Sequence, residues 1–330
     1  MDRRTRVALG RTRLQVTRLG LGTAPLAGLY TEVSEAEAHA VVDQAYEDGL
    51  RYFDTAPLYG HGLAERRTGA VLRSKPRQDF VLSTKVGRLL RPGAPSPDGQ
   101  FKGTPRVVPM FDFSYDATLR SVEESLSRLG LDRIDILLIH DPDQDYDAAR
   151  TGAYPALERL RSEGVVRAIG AGMNQVEMLA RFARETDVDC LLVAGRYTLL
   201  DQVALTELLP LCQERGIAVI AGGVFNSGIL ARPAAGAPYN YEPAAAEIVE
   251  RAQRIERVCN NFNVPAKAAA LQFPLAHPAV ACVLTGCRSV AELQENIELF
   301  ELELPPDLWS ALKTEGLLPE PAPVPSSSRP

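Results

Sequence analysis

Residues 116–140 read DATLRSVEESLSRLGLDRIDILLIH, an amphipathic stretch followed at once by a short apolar run. The apolar side chains of the first part recur at the spacing of one helix face, and Asp116 is expected to cap that helix. They are Leu119, Val122, Leu126 and Leu129. The apolar run predicts a strand at Ile134–His140. Helix and strand patterns that alternate in this way are typical of domains built on a parallel sheet.

The same alternation runs through most of the chain. Strands are predicted at Leu19–Gly22, Tyr52–Asp54, Phe80–Lys85, Ile134–His140, Ala168–Gly172, Cys190–Val193, Ala218–Ala221 and Cys282–Thr285. Amphipathic stretches lie between them, such as residues 34–49, where Ser34 and Glu37 form an S-x-x-E capping box. Eight strands that each lead into a helix match a closed (β/α)8 TIM barrel better than an open sheet. We therefore expect one α/β barrel domain over residues 1–315.

Three segments fall outside that rhythm. Arg6–Val16 predicts a short N-terminal β-hairpin that turns at Gly10. Gly87–Phe113 is a long polar segment rich in proline and glycine, and loops of this kind are usually lids or binding loops, so we expect it at the C-terminal face of the barrel. Residues 316–330 are rich in proline and serine and predict a disordered tail.

Composition limits the classes of partner. The chain has 330 residues, 45% of them hydrophobic, and a net charge of −6, which argues against a surface for nucleic acid or anionic membranes. It has no run of about 18 apolar residues and no apolar core of a secretory signal near its start. Five cysteines without a C-x-x-C pair, and four histidines without a ligand motif, suggest no disulfide framework and no metal site. We expect a reduced, cytoplasmic protein without a metal ion, and its oligomeric state is left open.

Four polar residues end or follow three consecutive predicted strands. Asp54 ends the second strand and Tyr59 follows it, Lys85 ends the third, and His140 ends the fourth. Taken singly, each has an ordinary structural explanation as a turn cap, a core-edge phenol, a strand end with its ammonium in solvent, or a hydrogen-bonded core histidine. Because the C-terminal strand ends of a barrel form its active-site face, we expect the four side chains to meet in one pocket.

Such a group is suited to moving a proton at an oxygen atom. A phenol has an ordinary pKa of about 10, and we expect the ammonium of Lys85 to lower the pKa of Tyr59. A buried lysine needs a carboxylate partner, which Asp54 can supply, and His140 can orient a carbonyl or hydroxyl group. Proton transfer at oxygen paired with hydride transfer at carbon is carbonyl–alcohol redox chemistry. It needs a nicotinamide cofactor, because side chains do not carry hydride.

These residues lie in motifs that resemble the aldo-keto reductase family, roughly over residues 14–312. The motifs are DTAPLYGHGLAERRTGAVL at 54–72, STKVG at 83–87, SVEESLSRLGLDRIDILLIHDPD at 121–143, GVVRAIGAGMN at 164–174 and VLTGCRSVAELQEN at 283–296. The resemblance implies that Asp54, Tyr59, Lys85 and His140 are the catalytic tetrad. Within the family, AGRYTLLDQ at 194–202 and GGVFNSGILA at 222–231 are most similar to the branch of D-threo-aldose 1-dehydrogenases, with the pyridoxal 4-dehydrogenases as close relatives.

The resemblance also implies an extended nicotinamide dinucleotide, NAD or NADP, lying across the C-terminal face without a Rossmann fold. GLGTAP at 20–25 accordingly lacks the third glycine of a dinucleotide fingerprint. The family glutamine that holds the carboxamide aligns with Ala194, and the tyrosine under the nicotinamide aligns with Gly222, so we expect Phe225 or Arg196 to help hold the ring. The residues expected at the cofactor are Gly22, Thr23, Asp54, Asn174, Gly222, Phe225, Asn226, Ser227, Gly228, Leu230, Gly286, Arg288, Glu292 and Asn296.

The choice between the two cofactors depends on one position. The family arginine that binds the 2′-phosphate of NADP aligns with Glu292, and a carboxylate there repels a phosphate but can accept from the ribose hydroxyls. Ser289 and Glu292 also form an S-x-x-E capping box, which would explain both residues without a ligand. We expect NAD to be preferred, with NADP left possible by Arg288.

The implied reaction is oxidation of C1 of a cyclic aldose to its lactone, with hydride transfer to NAD(P)+. The residues expected at the small-molecule substrate are Tyr30, Tyr59, His140 and Asp141. A pyridoxal 4-dehydrogenase, or a general aldehyde and ketone reductase, is the nearest alternative. A cofactor-binding regulatory subunit on the same fold, as in potassium-channel β subunits, is another. A two-carboxylate glycosidase, with Asp54 and Asp141 or Asp143, is a third.

Overall fold

A computed structural model of the chain describes residues 1–96, 99–240 and 242–326. Its strands are β1 (Arg6–Ala8), β2 (Gln15–Thr17), β3 (Leu19–Gly22), β4 (Tyr52–Asp54), β5 (Val81–Val86), β6 (Arg88–Pro92), β7 (Val107–Phe111), β8 (Ile136–His140), β9 (Ala168–Met173), β10 (Cys190–Ala194), β11 (Ala218–Gly222), β12 (Pro238–Tyr239), β13 (Glu242–Pro243) and β14 (Val280–Thr285). Parallel strands form a closed barrel in the order β3-β4-β5-β8-β9-β10-β11-β14, and β14 pairs with β3 to close it. The predicted (β/α)8 barrel is confirmed.

Helices alternate with the barrel strands along the chain. They are α1 (Glu35–Glu47), α2 (Leu63–Leu72), α3 (Tyr115–Leu129), α4 (Tyr146–Ala148), α5 (Tyr154–Ser162), α6 (Val176–Glu185), α7 (Leu208–Arg215), α8 (Ala246–Asn261), α9 (Ala266–Gln272), α10 (Val290–Glu301) and α11 (Pro306–Thr314). A π-helical turn at Ala149–Ala153 joins α4 to α5. Within the described ranges, none of these helices is both long enough and apolar enough to cross a membrane.

The barrel interior is filled by alternate residues of its strands, because every second side chain of a barrel strand points inward. The buried cluster that they form contains Tyr52, Val81, Ile136, Leu138, Ala168, Cys190, Leu192, Ala218, Ile220, Cys282 and Leu284. Leu9, Leu14 and Val16 of the N-terminal hairpin belong to the same cluster. The hairpin turn lies where β11 begins, since the backbone N–H of Arg11 donates to the carbonyl of Gly216 at 3.1 Å. The hairpin therefore closes the barrel at the end opposite the C-terminal strand ends.

The sequence pattern located the barrel elements closely. Each predicted barrel strand ends within two residues of the observed limits, and the hairpin forms as β1 and β2. The capping box of Ser34 and Glu37 is present at the start of α1. The predicted cap of α3 is wrong: Ser114, not Asp116, accepts from the backbone N–H of Ala117, at 3.3 Å. Asp116 lies in the first turn, where its charge still suits the helix dipole.

The segment Gly87–Phe113 is more regular than its composition suggested. Its two ends pair antiparallel as β6 and β7, with Leu90 opposite Pro109. Only the stretch between them has the proline- and glycine-rich character of a loop, and residues 97 and 98 of it lie outside the described residues.

The C-terminal segment also differs from its prediction. Leu317, Leu318 and Ala322 are buried, so the segment predicted to be disordered from residue 316 begins with a packed stretch. The two leucines supply apolar area that the Pro/Ser composition of the whole segment conceals. Residues 327–330 of this segment lie outside the described residues.

We predict that Leu14→Ala lowers the free energy of unfolding by about 2–5 kcal/mol, because it leaves a cavity in the packed end of the barrel. Leu14 is 1% exposed. The measurement is urea unfolding followed by circular dichroism. Arg13→Ala is the control, since Arg13 is exposed in the same hairpin and should change stability by less than about 0.5 kcal/mol. Equal stability of the two variants would show that the hairpin does not close the barrel.

Candidate active site

The last inward-facing residues of the barrel strands form one layer at the C-terminal end. On β4, β5 and β8 this residue is polar: Asp54, Lys85 and His140. On β9, β10 and β11 the matching residues are small, namely Gly172, Ala194 and Gly222. A Cβ on Gly172 would lie 3.7 Å from Cε of Lys85, so the two halves of the layer face each other. One half of the rim carries charge and the other half provides space.

Asp54 and Lys85 form a buried ion pair. Nζ of Lys85 lies 2.6 Å from Oδ2 of Asp54 and donates a second bond to the carbonyl of Thr55 at 2.9 Å. The other carboxylate oxygen accepts from the hydroxyl of Ser83 at 2.6 Å, and Oγ of Ser83 lies 3.0 Å from the hydroxyl of Tyr52. Both side chains are almost fully buried. This set of partners offsets the cost of removing two charges from water.

Tyr59, in the loop between β4 and α2, lies over this ion pair. Nζ of Lys85 is 4.6 Å from the centroid of its ring, and the ring of His140 meets it edge-on with centroids 5.7 Å apart. Burial, together with the negative charges of Asp54 and Asp141, raises the pKa of Tyr59 well above its usual value. This is opposite to the predicted lowering. The ammonium of Lys85 is bonded to Asp54 and Thr55 and faces the ring of Tyr59, so in the structure as described the phenol stays protonated.

His140 is a neutral imidazole. Burial, and then the positive charges of Lys85 and Arg88, lower its pKa well below the usual value. Its Nε2 lies 3.4 Å from Oδ2 of Asp141, and its Nδ1 is buried without a hydrogen-bond partner in the described part of the chain. A neutral imidazole with Nε2–H can donate to a substrate oxygen.

A buried arginine that the sequence reasoning missed supports this strand end. Arg88, 4% exposed, donates from its guanidinium to the carbonyl of His140 at 2.9 Å and to that of Asp141 at 3.4 Å. Its guanidinium carbon lies 3.6 Å from the ring centroid of Phe111. Arg88 thus fastens the β6–β7 hairpin to the end of β8. The sequence feature that could have indicated Arg88 is its position directly after the motif STKVG at 83–87.

A cavity of about 470 Å³ opens beside Tyr59 and Asp54. Of the residues predicted at the cofactor or substrate, the cavity is lined by Gly22, Tyr30, Asp54, Tyr59, Asn174, Gly222, Phe225, Asn226, Ser227, Gly228, Gly286, Arg288, Glu292 and Asn296. Thr23 and Leu230 do not line it and are corrected, because both are buried and the hydroxyl of Thr23 donates to the carbonyl of Asp54 at 2.9 Å. His140 and Asp141 lie outside the cavity, next to Tyr59.

Small residues form the floor of the cavity. A Cβ on Gly286 would come within 2.7 Å of Cγ of Pro25, and one on Gly222 within 3.2 Å of Cδ2 of Leu192. A side chain at either position would crowd its neighbour, so the backbone itself forms the cavity wall there, which suits a flat ring laid against it. Gly222 and Ala194, for which the sequence resemblance implied a tyrosine and a glutamine, are part of the cavity wall.

Of the two residues expected to hold the nicotinamide ring, only one lines the cavity. Phe225 lines the cavity, whereas Arg196 does not: it pairs with Asp201 at 3.1 Å and donates to the carbonyl of Asn174 at 3.3 Å. The amide of Asn174 donates to the carbonyl of Ala194 at 2.7 Å. The amide of Asn226 is engaged at both ends, donating to the carbonyl of Gly195 at 3.0 Å and accepting from the hydroxyl of Thr198 at 2.6 Å.

The far end of the cavity carries two ion pairs. Glu292 accepts from the backbone N–H of Arg288 at 2.8 Å and from its guanidinium at 3.1 Å. Lys267, which the sequence reasoning missed, pairs with Glu295 at 2.7 Å. Only half of the predicted capping box forms. The hydroxyl of Ser289 accepts from the backbone N–H of Glu292 at 3.2 Å, but the carboxylate of Glu292 accepts from Arg288 and not from Ser289.

Asn296 contributes a buried polar atom to the same end. Its amide donates to the hydroxyl of Thr285 at 3.0 Å. Its Oδ1 is buried without a hydrogen-bond partner among the described residues, although the side chain lines the cavity. An unpaired buried acceptor at a cavity wall is suited to a ligand that brings a donor.

The long β6–β7 connection reaches over the site. Phe101 forms an isolated antiparallel bridge with Leu29, and two backbone hydrogen bonds join this segment to the loop after β3. The ring of Phe101 lies 6.2 Å from that of Tyr59. In the same region the hydroxyl of Tyr30 is hydrogen-bonded to Ser227. The expectation that Gly87–Phe113 lies at the C-terminal face agrees with this placement, but Phe101 itself was missed.

The geometry of the carboxylates argues against the alternative that the protein is a two-carboxylate glycosidase. Asp54 is 2% exposed and its oxygens are bonded to Lys85 and Ser83, so it cannot reach a glycosidic bond. Asp141 alone would not provide the acid and base pair that such hydrolysis needs.

Comparison with known proteins agrees with these features. The model of the aldo/keto reductase family matches residues 18–314. The chain is 44% identical to pyridoxal 4-dehydrogenase of Microbacterium luteolum, over 94% of this chain and 97% of that protein. It is 45% identical to D-threo-aldose 1-dehydrogenase of a Pseudomonas species, over 93% and 96%. Among solved structures, the holo form of aldo-keto reductase AKR11C1 from Bacillus halodurans superposes with a TM-score of 0.76 at 26% identity, covering 99% of each chain.

We predict that removing one partner of the Asp54–Lys85 pair lowers the free energy of unfolding strongly. Removing both partners should lower it by less than the sum of the two single losses. Asp54→Asn and Lys85→Met should each lower the free energy of unfolding by about 3–5 kcal/mol, because each leaves an uncompensated buried charge. The double variant should be more stable than the sum of the two losses implies. Urea unfolding of the wild type, the two single variants and the double variant gives the coupling free energy between the two side chains. Strictly additive losses would show that the two groups do not interact.

Proposed function

On the premise that the chain belongs to the aldo/keto reductase family and is an oxidoreductase, we propose that it oxidises C1 of a cyclic aldose to a lactone with NAD+ as hydride acceptor. The observation that carries the proposal is the convergence of Asp54, Lys85, Tyr59 and His140 beside a cavity with a floor of small residues. A screen of aldoses with NAD+ and NADP+, followed by the absorbance of the reduced cofactor, tests it. Absence of turnover with every aldose would reject it.

We infer that a dinucleotide binds in this cavity with its reactive ring near Tyr59. Gly22, Gly222 and Gly286 would accept the flat ring at the floor, and the unpaired Oδ1 of Asn296 would accept from a donor at the other end. When bound, the nicotinamide supplies the hydride acceptor that no side chain can provide.

Tyr59 is the group proposed to exchange a proton with the reacting oxygen. Its raised pKa keeps the phenol protonated near neutral pH, so it can donate when a carbonyl is reduced. In oxidation the phenolate has to form first, and the ammonium of Lys85, 4.6 Å from the ring centroid, would stabilise it by moving towards the phenol oxygen. His140, held neutral by burial, would donate from Nε2 to the same oxygen and orient it.

Pyridoxal is the second candidate substrate. Its hemiacetal is oxidised to a lactone by the same proton and hydride transfers, and a relative named pyridoxal 4-dehydrogenase is 44% identical to this chain. Phe101, next to Tyr59, offers an aromatic ring on which either a pyridine or the apolar face of a sugar could pack. Assay of pyridoxal beside the aldoses distinguishes the two.

NAD is the proposed cofactor because of the charges around Arg288. The guanidinium of Arg288 is already paired with Glu292, and a 2′-phosphate would have to compete with that carboxylate. The pair is partly exposed, so solvent weakens but does not remove the repulsion. A ribose diol brings no charge and can donate to Glu292.

We predict that Tyr59→Phe lowers kcat by about 10²- to 10⁴-fold, the usual contribution of a general acid–base group. The dissociation constant of the cofactor, measured by fluorescence titration, should change little because the phenol acts at the substrate oxygen.

The matched control is Tyr197→Phe. Tyr197 is buried, and its hydroxyl has no hydrogen-bond partner in the part of the chain that is described, so its removal should leave kcat within about twofold. Near-normal turnover of Tyr59→Phe would reject the assignment of Tyr59.

We further predict that NAD+ has the higher kcat/KM and that Glu292→Arg shifts the preference towards NADP+ by at least about tenfold. The physical reason is replacement of a repelling charge by an attracting one near the phosphate. Steady-state kinetics with both cofactors measures the ratio.

Glu298→Arg makes the same charge change on an exposed face of α10 and should leave the ratio unchanged. If Arg288 instead binds the 2′-phosphate, the wild type would prefer NADP+, and Arg288→Ala would abolish that preference. In that case Glu292 serves only as a helix cap.

A further inference from the structure

Asp141 is placed unusually for a residue at a strand end. It follows His140 directly, with a left-handed φ of 43° that aspartate tolerates better than most residues, and its backbone N–H donates to the carbonyl of Gly172 at 3.1 Å. This conformation brings the carboxylate back to the imidazole, with Oδ2 3.4 Å from Nε2 of His140. The separation is long for a hydrogen bond, so neither group is fully used by the other.

The carboxylate has spare acceptor capacity. Among the described residues, no donor makes a hydrogen bond to its oxygens, although only a third of the side chain is exposed. Arg88, the nearby cation from β6, donates instead to the backbone carbonyls of His140 and Asp141. A carboxylate that is largely removed from water and lacks donors is costly unless a ligand supplies one.

The groups around Asp141 come from every neighbouring element. Tyr59 lies in the β4–α2 loop, Lys85 on β5, Arg88 on β6, His140 on β8 and Asp143 in the loop that follows. Burial is the largest influence and raises the pKa of Asp141 to about 6; Arg88 and Lys85 oppose this and Asp143 adds to it. At neutral pH the group is therefore mainly a carboxylate.

We propose that Asp141 determines substrate specificity: its carboxylate accepts from a hydroxyl on the carbon next to the reacting carbon, while Nε2–H of His140 donates to the reacting oxygen. The two residues present one donor and one acceptor side by side, and two oxygens on adjacent sugar carbons present the complementary pair. A simple aldehyde satisfies His140 but leaves Asp141 without a donor. Sites that bond a substrate hydroxyl reject analogues lacking it strongly, because a buried group is left unpaired.

This inference rests on the proposed function and deepens it, and its first test uses two sugars. The kcat/KM values of L-fucose and 2-deoxy-L-fucose are compared in the wild type, in Asp141→Ala and in Asp143→Ala, with cofactor saturating. We expect the wild type to prefer L-fucose by about 10²- to 10³-fold. Asp141→Ala should reduce this preference to less than about fivefold. Asp143→Ala should retain it, because Asp143 is exposed, so its carboxylate stays in solvent.

The pH profile separates binding by the carboxylate from a structural role. The phenolate of Tyr59 makes log kcat/KM for oxidation rise by about one per pH unit below its pKa. Asp141 must also be ionised, so for L-fucose the slope should approach two below about pH 6 and return to one in Asp141→Ala. Asp141→Asn keeps a neutral acceptor; it should restore part of the sugar preference without restoring the steeper slope.

The outcomes are distinct for the two proposals. Equal turnover of both sugars by the wild type, or a preference that survives Asp141→Ala, overturns the role of Asp141 and leaves the proposed function intact. Turnover of neither of these sugars, nor of any other aldose in the screen, rejects the proposed function. Asp141 is then tested in the reducing direction with NADH, lactaldehyde and propanal: a preference for lactaldehyde that depends on Asp141 supports the inference, and equal rates overturn it.

Discussion

The ion pair of Asp54 and Lys85 is the interaction on which the site depends. An ammonium inside a barrel remains charged only if acceptors replace its water, and here a carboxylate and the carbonyl of Thr55 do so at 2.6 and 2.9 Å. Ser83 and Tyr52 extend the network into the layer below. The charge beneath Tyr59 is therefore fixed by the packing of the barrel, because Lys85 cannot turn away without leaving Asp54 unpaired.

The division of the upper layer into a charged half and a small half explains how the chain departs from its family pattern. Ala194 and Gly222, for which the sequence resemblance implied a glutamine and a tyrosine, both line the cavity. Phe225 also lies at the cavity wall. The other half of the layer carries Asp54, Lys85 and His140, and Tyr59 lies over it from the β4–α2 loop.

The sequence predicts features that depend on residues close together in the chain, and it misses those that depend on contacts between distant residues. Strands such as Ile136–His140 are apparent from apolar runs, and the meeting of Asp54, Lys85 and His140 at one rim follows because each of them ends such a run. Arg88 and Phe101 were missed because their roles depend on contacts with residues distant in the chain, the end of β8 and the loop after β3. The pKa direction of Tyr59 was wrong for a related reason. A sequence shows that a lysine is near, but it does not show that its ammonium is bonded to Asp54 and that desolvation raises the pKa of the phenol.

The pairing of β3 with β14 has a consequence for how the molecule is made. Residues 19–21 pair with residues 283–285, so the barrel seam joins the first and the last strand of the barrel. Contacts of such large sequence separation form late, because the loop between them has to close first. During synthesis, the early strands have no partner at this edge until β14 has left the ribosome. The same seam contributes Gly22 and Gly286 to the cavity wall, so a nascent chain acquires its binding cavity only after β14 has been made.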